Sequence, residues 1–287
     1  MLMLMLVCLP RLGNAEDKEP PFITGVLDMR FSDKYLTSRG VYVENSGLVF
    51  QPSLLINANL YQSDGPLSNV TATVGVWNSV HSKTRPGNTT TPNWNEMDFL
   101  SALSVTLFKA WTFTFDYEYW LSPIDAFPPT SLIQLKLDYH DSFLKGLVPP
   151  NSGTLSLNPY MKFFIELHNK AASAISTEES FYFEIGLTPR YVFTGYPLSI
   201  ELPTYVSFPG HNFYSQDSTV GIFRTGLRVT APLTFIRERY GKWSVRGEVI
   251  YKHLANDGVV FENTTLLPTR SDERNPVQAA GGITLNF

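Results

Sequence analysis

Read from its C-terminus, the chain alternates: Ala279, Gly281, Ile283, Leu285 and Phe287 are interleaved with Gln278, Ala280, Gly282, Thr284 and Asn286. A period of two sustained over a whole segment is the signature of a β-strand with one apolar and one polar face. The preceding segment repeats it, with Trp243, Val245, Gly247, Val249 and Tyr251 set against Ser244, Arg246, Glu248 and Lys252. The same pattern recurs over Phe223–Phe235, Leu198–Phe208, Phe181–Leu187, Leu157–Ile165, Ile133–Tyr139 and Trp111–Tyr119. Weaker versions run over Met97–Phe108, Val70–Trp77, Leu48–Tyr61 and Phe22–Phe31, which brings the count to twelve. Pro52, Pro159, Pro189, Pro203 and Pro232 fall inside these segments, and because each removes a ladder hydrogen bond they are expected to mark bulges.

Strands of about ten residues, tilted, have the length that crosses a bilayer. The links between them alternate as well. Gln62 to Leu67, Lys109-Ala110, Thr194 to Tyr196 and Arg237 to Gly241 are short, whereas Ser32 to Gly47, Asn78 to Glu96, His168 to Ser180, Pro209 to Thr219 and Leu254 to Pro276 are long. Leu121 to Ser131 is intermediate, and Asp141 to Gly153 is long where a turn is expected. Short turns at one end and long loops at the other predict an all-β protein, a transmembrane antiparallel up-and-down β-barrel of about twelve strands. Outward aromatics then form two belts, Trp111, Tyr139, Tyr191, Phe193, Phe235, Trp243 and Phe287 below, Phe50, Phe99, Tyr119, Phe181, Phe208, Phe223 and Tyr251 above. A soluble β-sandwich also alternates, but its inner face is an apolar core with no place for so many charges.

Composition removes objections rather than adding evidence. The 287 residues are 43% hydrophobic and only 17% charged. A mean hydropathy of -0.07 looks soluble, yet a barrel averages lipid-facing and lumen-facing residues to the same value. A net charge of -4 without a dense Lys/Arg block gives no reason to expect a nucleic-acid partner. The sole cysteine, Cys8, lies in the apolar run Met1–Leu9. Gly13-Asn14-Ala15 before Glu16 supplies small residues for cleavage, so residues 1–15 are expected to be a signal peptide without its usual basic start, and 16–287 the exported barrel.

Candidate chemistry is confined to the inner face. No HExxH, GxSxG or Gly-rich phosphate loop occurs, and His81, His140, His168, His211 and His253 have no motif partners. No catalytic residue, metal or cofactor is expected; His140 and His168 fall in inward phase, while His81 and His211 read as loop residues. The expected pore-lining residues are Asp98, Asp116, Glu118 and Asp138 on the fourth to sixth strands, and Arg224, Arg228, Arg246, Glu248 and Lys252 on the tenth and eleventh. In a closed ring these walls face each other, and opposed walls of charge make a transverse field across a water-filled constriction. A salt-bridged interior that fills a narrow barrel is the other reading of the same residues.

The terminal Leu285-Asn286-Phe287 resembles the C-terminal signal of outer-membrane proteins, recognised by the barrel assembly machinery. The run Phe31-Ser-Asp-Lys-Tyr-Leu-Thr-Ser-Arg-Gly-Val41 resembles the opening of the TorF-like porins, and Gly75-Val76-Trp77 and Asp116-Tyr117-Glu118-Tyr119 fill the places of their later motifs. That resemblance implies an outer-membrane channel of undefined solute with no catalytic residues to carry over. The chain is therefore expected in the bacterial outer membrane, with lipid and the assembly machinery as partners, passing small polar or charged solutes. The alternatives are a structural or adhesive barrel with a salt-bridge-filled lumen and partner-binding loops, and, third, a barrel hydrolase.

Overall fold

Each alternating segment becomes one stave of a closed sheet, because a strand in lipid can satisfy its backbone only through neighbours on both sides. The computed structural model describes residues 21–83, 93–141, 148–149, 152–170, 178–216, 218–266 and 272–287. The expected leader, residues 1–15, lies outside them. The first half comprises β1 (Ile23–Ser32), a small hairpin of β2 (Tyr35–Leu36) and β3 (Tyr42–Glu44), then β4 (Val49–Gln62), β5 (Leu67–His81), β6 (Trp94–Leu107), β7 (Trp111–Leu121) and β8 (Thr130–Tyr139). The second half comprises β9 (Gly153–Ser156), β10 (Pro159–His168), β11 (Phe181–Leu187), β12 (Arg190–Phe193), β13 (Ser199–Glu201), β14 (Thr204–Pro209), β15 (Ile222–Pro232), β16 (Lys242–Leu254) and β17 (Val277–Asn286). β9 with β10, β11 with β12 and β13 with β14 are broken staves, so the sheet is a closed antiparallel barrel of 12 strands.

The ring closes where β17 meets β1, with Leu285 opposite Leu27. Gly25 and Phe287 exchange backbone hydrogen bonds of 2.7 and 3.0 Å. The Phe287 ring lies over Gly25 so closely that a Cβ there would come within 2.3 Å of it. A glycine under an aromatic ring is a recurrent way of pinning two strands in register.

The prolines do not mark bulges. Pro52 lies in β4 opposite Met29, and Pro232 ends β15. The other three interrupt neighbouring staves, yet the register is continuous: Pro159 opposes Leu187 and Ser156 opposes Arg190, the spacing of one unbroken ladder. A missing N–H deletes a rung without inserting a residue, so no slip follows. The gaps are stitched by other donors and acceptors. The Asp141 carboxylate accepts from the N–H groups of Leu157 (2.7 Å) and Asn158 (2.6 Å), and the Leu202 N–H donates to the Pro189 carbonyl at 2.9 Å. Register shifts occur elsewhere, at Asn59/Tyr61, Leu67/Asn69, Ser79/Val80 and Glu166/His168. The last takes His168 out of its expected inward phase and leaves it exposed.

Leu54, Val74, Leu103, Phe113, Met161, Ile185, Leu227 and Val249 point outward and are exposed. An apolar surface that runs around the whole barrel is far larger than a soluble protein leaves uncovered, and it matches the lipid-facing band of an outer-membrane barrel. Rings pair across strands near its edges, Trp111 with Tyr139 at 4.6 Å and Phe31 with Phe50 at 4.7 Å between centroids. The three-residue link Phe108-Lys109-Ala110 joins β6 to β7, with Phe108 and Lys109 both at positive φ, 53° and 55°, the twist a tight hairpin demands. Lys109 also reaches Asp64 on the neighbouring turn at 2.5 Å and holds that carboxyl below its ordinary range.

Candidate functional site

The inner phase of the alternation carries the charges inside, and most of them find partners on their own side of the ring. Arg224 and Arg228 both donate to Glu248, each at 3.0 Å, and Arg228 also reaches Glu201 at 3.1 Å. Arg246 binds Asp28 through two nitrogens at 2.7 and 2.6 Å. Across from them Asp138 pairs with Lys136 on the same strand at 2.7 Å. Contact pairs win here because Coulomb energy falls with distance and a lumen is wide, so the expected walls of charge are largely neutralised locally.

A smaller set is left over. Among the described residues, Asp98, Asp116 and Glu118 make no ion pair; Glu118 accepts from Trp120 Nε1 at 2.8 Å and from Gln134. Asp98 and Asp116 each keep one buried carboxylate oxygen without a hydrogen bond. At the side Arg30 on β1 donates to Gln51 on the adjoining β4, and across the ring from β7 Lys252 Nζ on β16 donates to the carbonyls of Leu36 (2.8 Å) and Thr37 (2.7 Å). Asp98, Glu118, Arg224, Lys252 and Arg30 line one cavity of about 580 Å³. Arg228, Arg246 and Asp138 lie outside it, toward the short-turn end, and Asp116 is beside Glu118 but not in its lining.

One wall of this cavity is not barrel at all. The link after β1, residues 33–48, folds into the lumen and is held by its own carbonyls. Besides the two taken by Lys252, Tyr205 Oη donates to Ser38 O (2.8 Å), Tyr214 Oη to Arg39 O (2.7 Å) and Asn263 Nδ2 to Gly40 O (2.8 Å). Gly40 has φ +82°, and a Cβ there would meet Ile222 and Leu254 at 2.7 and 2.9 Å, so the turn requires glycine. The Arg39 guanidinium lies 4.3 Å from the Trp120 ring centroid and 5.1 Å from that of Phe164. This inner hairpin is thus the stretch that narrows the lumen.

Above the cavity the long-loop end is apolar inside. Trp120, Leu132, Phe164 and Tyr182 project from the wall and bury Phe213 and Tyr214 from the loop before β15 and Val259 from the short helix α1 (Asp257–Phe261). Burial there pushes the Tyr214 phenol well above its ordinary value. The sequence held one signal for this plug: Trp120, Phe164 and Tyr182 are large aromatics in the inward phase, which need apolar cover. The short-turn end is polar instead, its charges held in pairs such as Lys109 with Asp64 and Arg246 with Asp28. A vestibule of about 700 Å³ is lined by Asn59, Gln62, Asn69 and Thr106, and His140 is absorbed there by a 2.9 Å bond with Thr112.

No family model and no curated protein matches the chain. Among solved structures, the COG4313 outer membrane channel from Pseudomonas putida F1 aligns with a TM-score of 0.50 and 10% identity over 96% of this chain and 100% of that one. The fold is that of an outer-membrane β-barrel. The NanC porin has a TM-score of 0.48 and 10% identity over 90% of this chain and 98% of its own. In the frame of such barrels the short turns are periplasmic and the long loops extracellular.

Within this outer-membrane barrel one constellation has the order of a hydrolase relay. Ser79 Oγ is 3.0 Å from His81 Nε2, and Glu44 Oε2 is 3.8 Å from His81 Nδ1. His81 is therefore buried at the end of β5 and not a solvated loop residue as its sequence context suggested. Ser79 has no exposed surface among the described residues, so its hydroxyl is not presented to a substrate carbonyl. The trio ties the inner hairpin to β5.

Proposed function

We propose that the protein is an outer-membrane channel for small polar or charged solutes, narrowed at mid-height by its first long loop. The observation that carries this reading is a cavity in which acids without an ion pair, Asp98 and Glu118 on β6 and β7, stand across the ring from Lys252 on β16, with Arg30 on β1 at the side between them. Such a separation across water orients a dipolar solute and sorts ions, whereas a barrel with a merely structural interior gains nothing from leaving charges unpaired. The TorF-like porins, which the hairpin segment resembles, are the family this reading fits. A second reading, a structural barrel, is favoured by the local neutralisation of Arg228 and Arg246 and by the apolar plug.

Recording in a planar bilayer separates the two. The channel gives discrete conductance steps in KCl, and Asp98→Asn combined with Glu118→Gln moves selectivity toward anions. A correctly folded, heat-modifiable barrel that shows no steps is the structural barrel.

Insertion by the barrel assembly machinery belongs to the same proposal. Deleting Phe287 removes both hydrogen bonds to Gly25 and the ring over it, so the yield of heat-modifiable barrel in the outer membrane should drop well below that of a Tyr196→Ser variant in the exposed β12–β13 turn. Equal yields would show that the seam is not read during assembly.

A further inference from the structure

We propose that the lumenal cavity is a binding subsite for a small zwitterion of the amino-acid class, its ammonium held toward Asp98 and Glu118 and its carboxylate toward Arg30 and Lys252. The inference deepens the channel reading by naming the solute. It begins from what is missing. Asp98 is only 7% exposed, lines the cavity and has one oxygen without a partner. Arg39, equally buried and in the same lining, would be the obvious counter-ion, but its guanidinium is spread over the Trp120 and Phe164 rings and among the described residues pairs with no carboxylate.

The basic side has donors to spare. Lys252 has three N–H groups, of which two are used on the Leu36 and Thr37 carbonyls; Arg30 uses Nη1 on Gln51. Acids and bases without ion partners hold their charge in a partly dry cavity only at a cost, and a cation alone would relieve one wall while an anion alone would relieve the other. A molecule with both charges at its ends relieves both. A cavity of about 580 Å³ falls within the size range of small-molecule sites, with room for the solute and some water.

The test is calorimetric titration of the full barrel in detergent with γ-aminobutyrate, butylammonium and butyrate, which share a chain length and differ only in charge. γ-Aminobutyrate should bind at least about tenfold more tightly than either monopole. Asp98→Asn should remove its advantage over butyrate, and Arg30→Gln its advantage over butylammonium. Should Asp98→Asn fail to give a heat-modifiable barrel, Glu118→Gln carries the same expectation. Absence of γ-aminobutyrate binding, or a monopole that binds as tightly, overturns the proposal. Because the readout is binding and not current, missing conductance steps with an intact γ-aminobutyrate preference would sink the channel reading alone.

Discussion

Replacing Lys252 with Met should widen the pore. The ammonium group is buried and donates to two consecutive carbonyls of the inner hairpin, Leu36 and Thr37. Methionine fills similar volume but donates nothing, and leaving a buried carbonyl unmet costs about 1–3 kcal/mol. A bias of that size moves a two-state equilibrium about 5- to 150-fold. The hairpin keeps its other pins, Tyr205, Tyr214 and Asn263, so it should loosen and not unfold the barrel. Single-channel recordings should show a mean conductance at least about twofold higher, with flicker between two levels that reports the hairpin leaving and returning. Tyr205→Phe, which removes one bond, should act in the same direction and less. A Lys252→Met barrel with wild-type conductance and no flicker would show that residues 33–48 do not limit the pore.

Arg246→Ser should have the largest effect on stability. The pair with Asp28 is bidentate, Thr284 adds a third bond to the same carboxylate at 2.7 Å, and both charged side chains are only about one-fifth exposed. Removing the guanidinium strands the carboxylate on a stave next to the closing seam, because β17 with Thr284 lies between β16 and β1. The expected loss is about 1–3 kcal/mol, below that of a fully dry pair since lumenal water reaches the site. It is read as a lower denaturant midpoint for detergent-folded barrel. Asp28→Asn introduced into the Arg246→Ser background should recover part of the loss, with a coupling energy near or above about 1 kcal/mol. Strictly additive losses would mean that the pair contributes nothing.

The staves were legible because alternation is local: Val245, Gly247 and Val249 outward and Arg246 and Glu248 inward follow from neighbours in the chain, and the structure keeps that phase. The inward placement of Asp98, Glu118, Arg224 and Lys252 followed from the same phase. Which acid each base would choose did not. Arg246 and Asp28 are 218 positions apart, and Tyr205 and Ser38 are 167 apart. Nothing in a period of two says which inward acid each base will reach, and for Arg224, Arg228 and Arg246 the nearer partners Glu201, Glu248 and Asp28 follow the salt-bridged reading and not the transverse field.

The chain by itself determined the number of staves, the face each residue takes and the sorting of short turns from long loops, because these depend on side-chain period and on lengths along the backbone. Only the tertiary structure decided the contents of the lumen. Residues 33–48 read as an ordinary long link, yet they turn inward because wall donors on β14, β16 and the last two long loops converge on their carbonyls. Trp120 and Phe164 are simple inward rings until Phe213 and Val259 arrive to cover them. Prolines that a linear reading assigns to bulges are tolerated in register, since Asp141 and the neighbouring staves supply the hydrogen bonds they remove. Closure brings distant residues into contact, and contact decides which charges are neutralised and which are left facing the cavity.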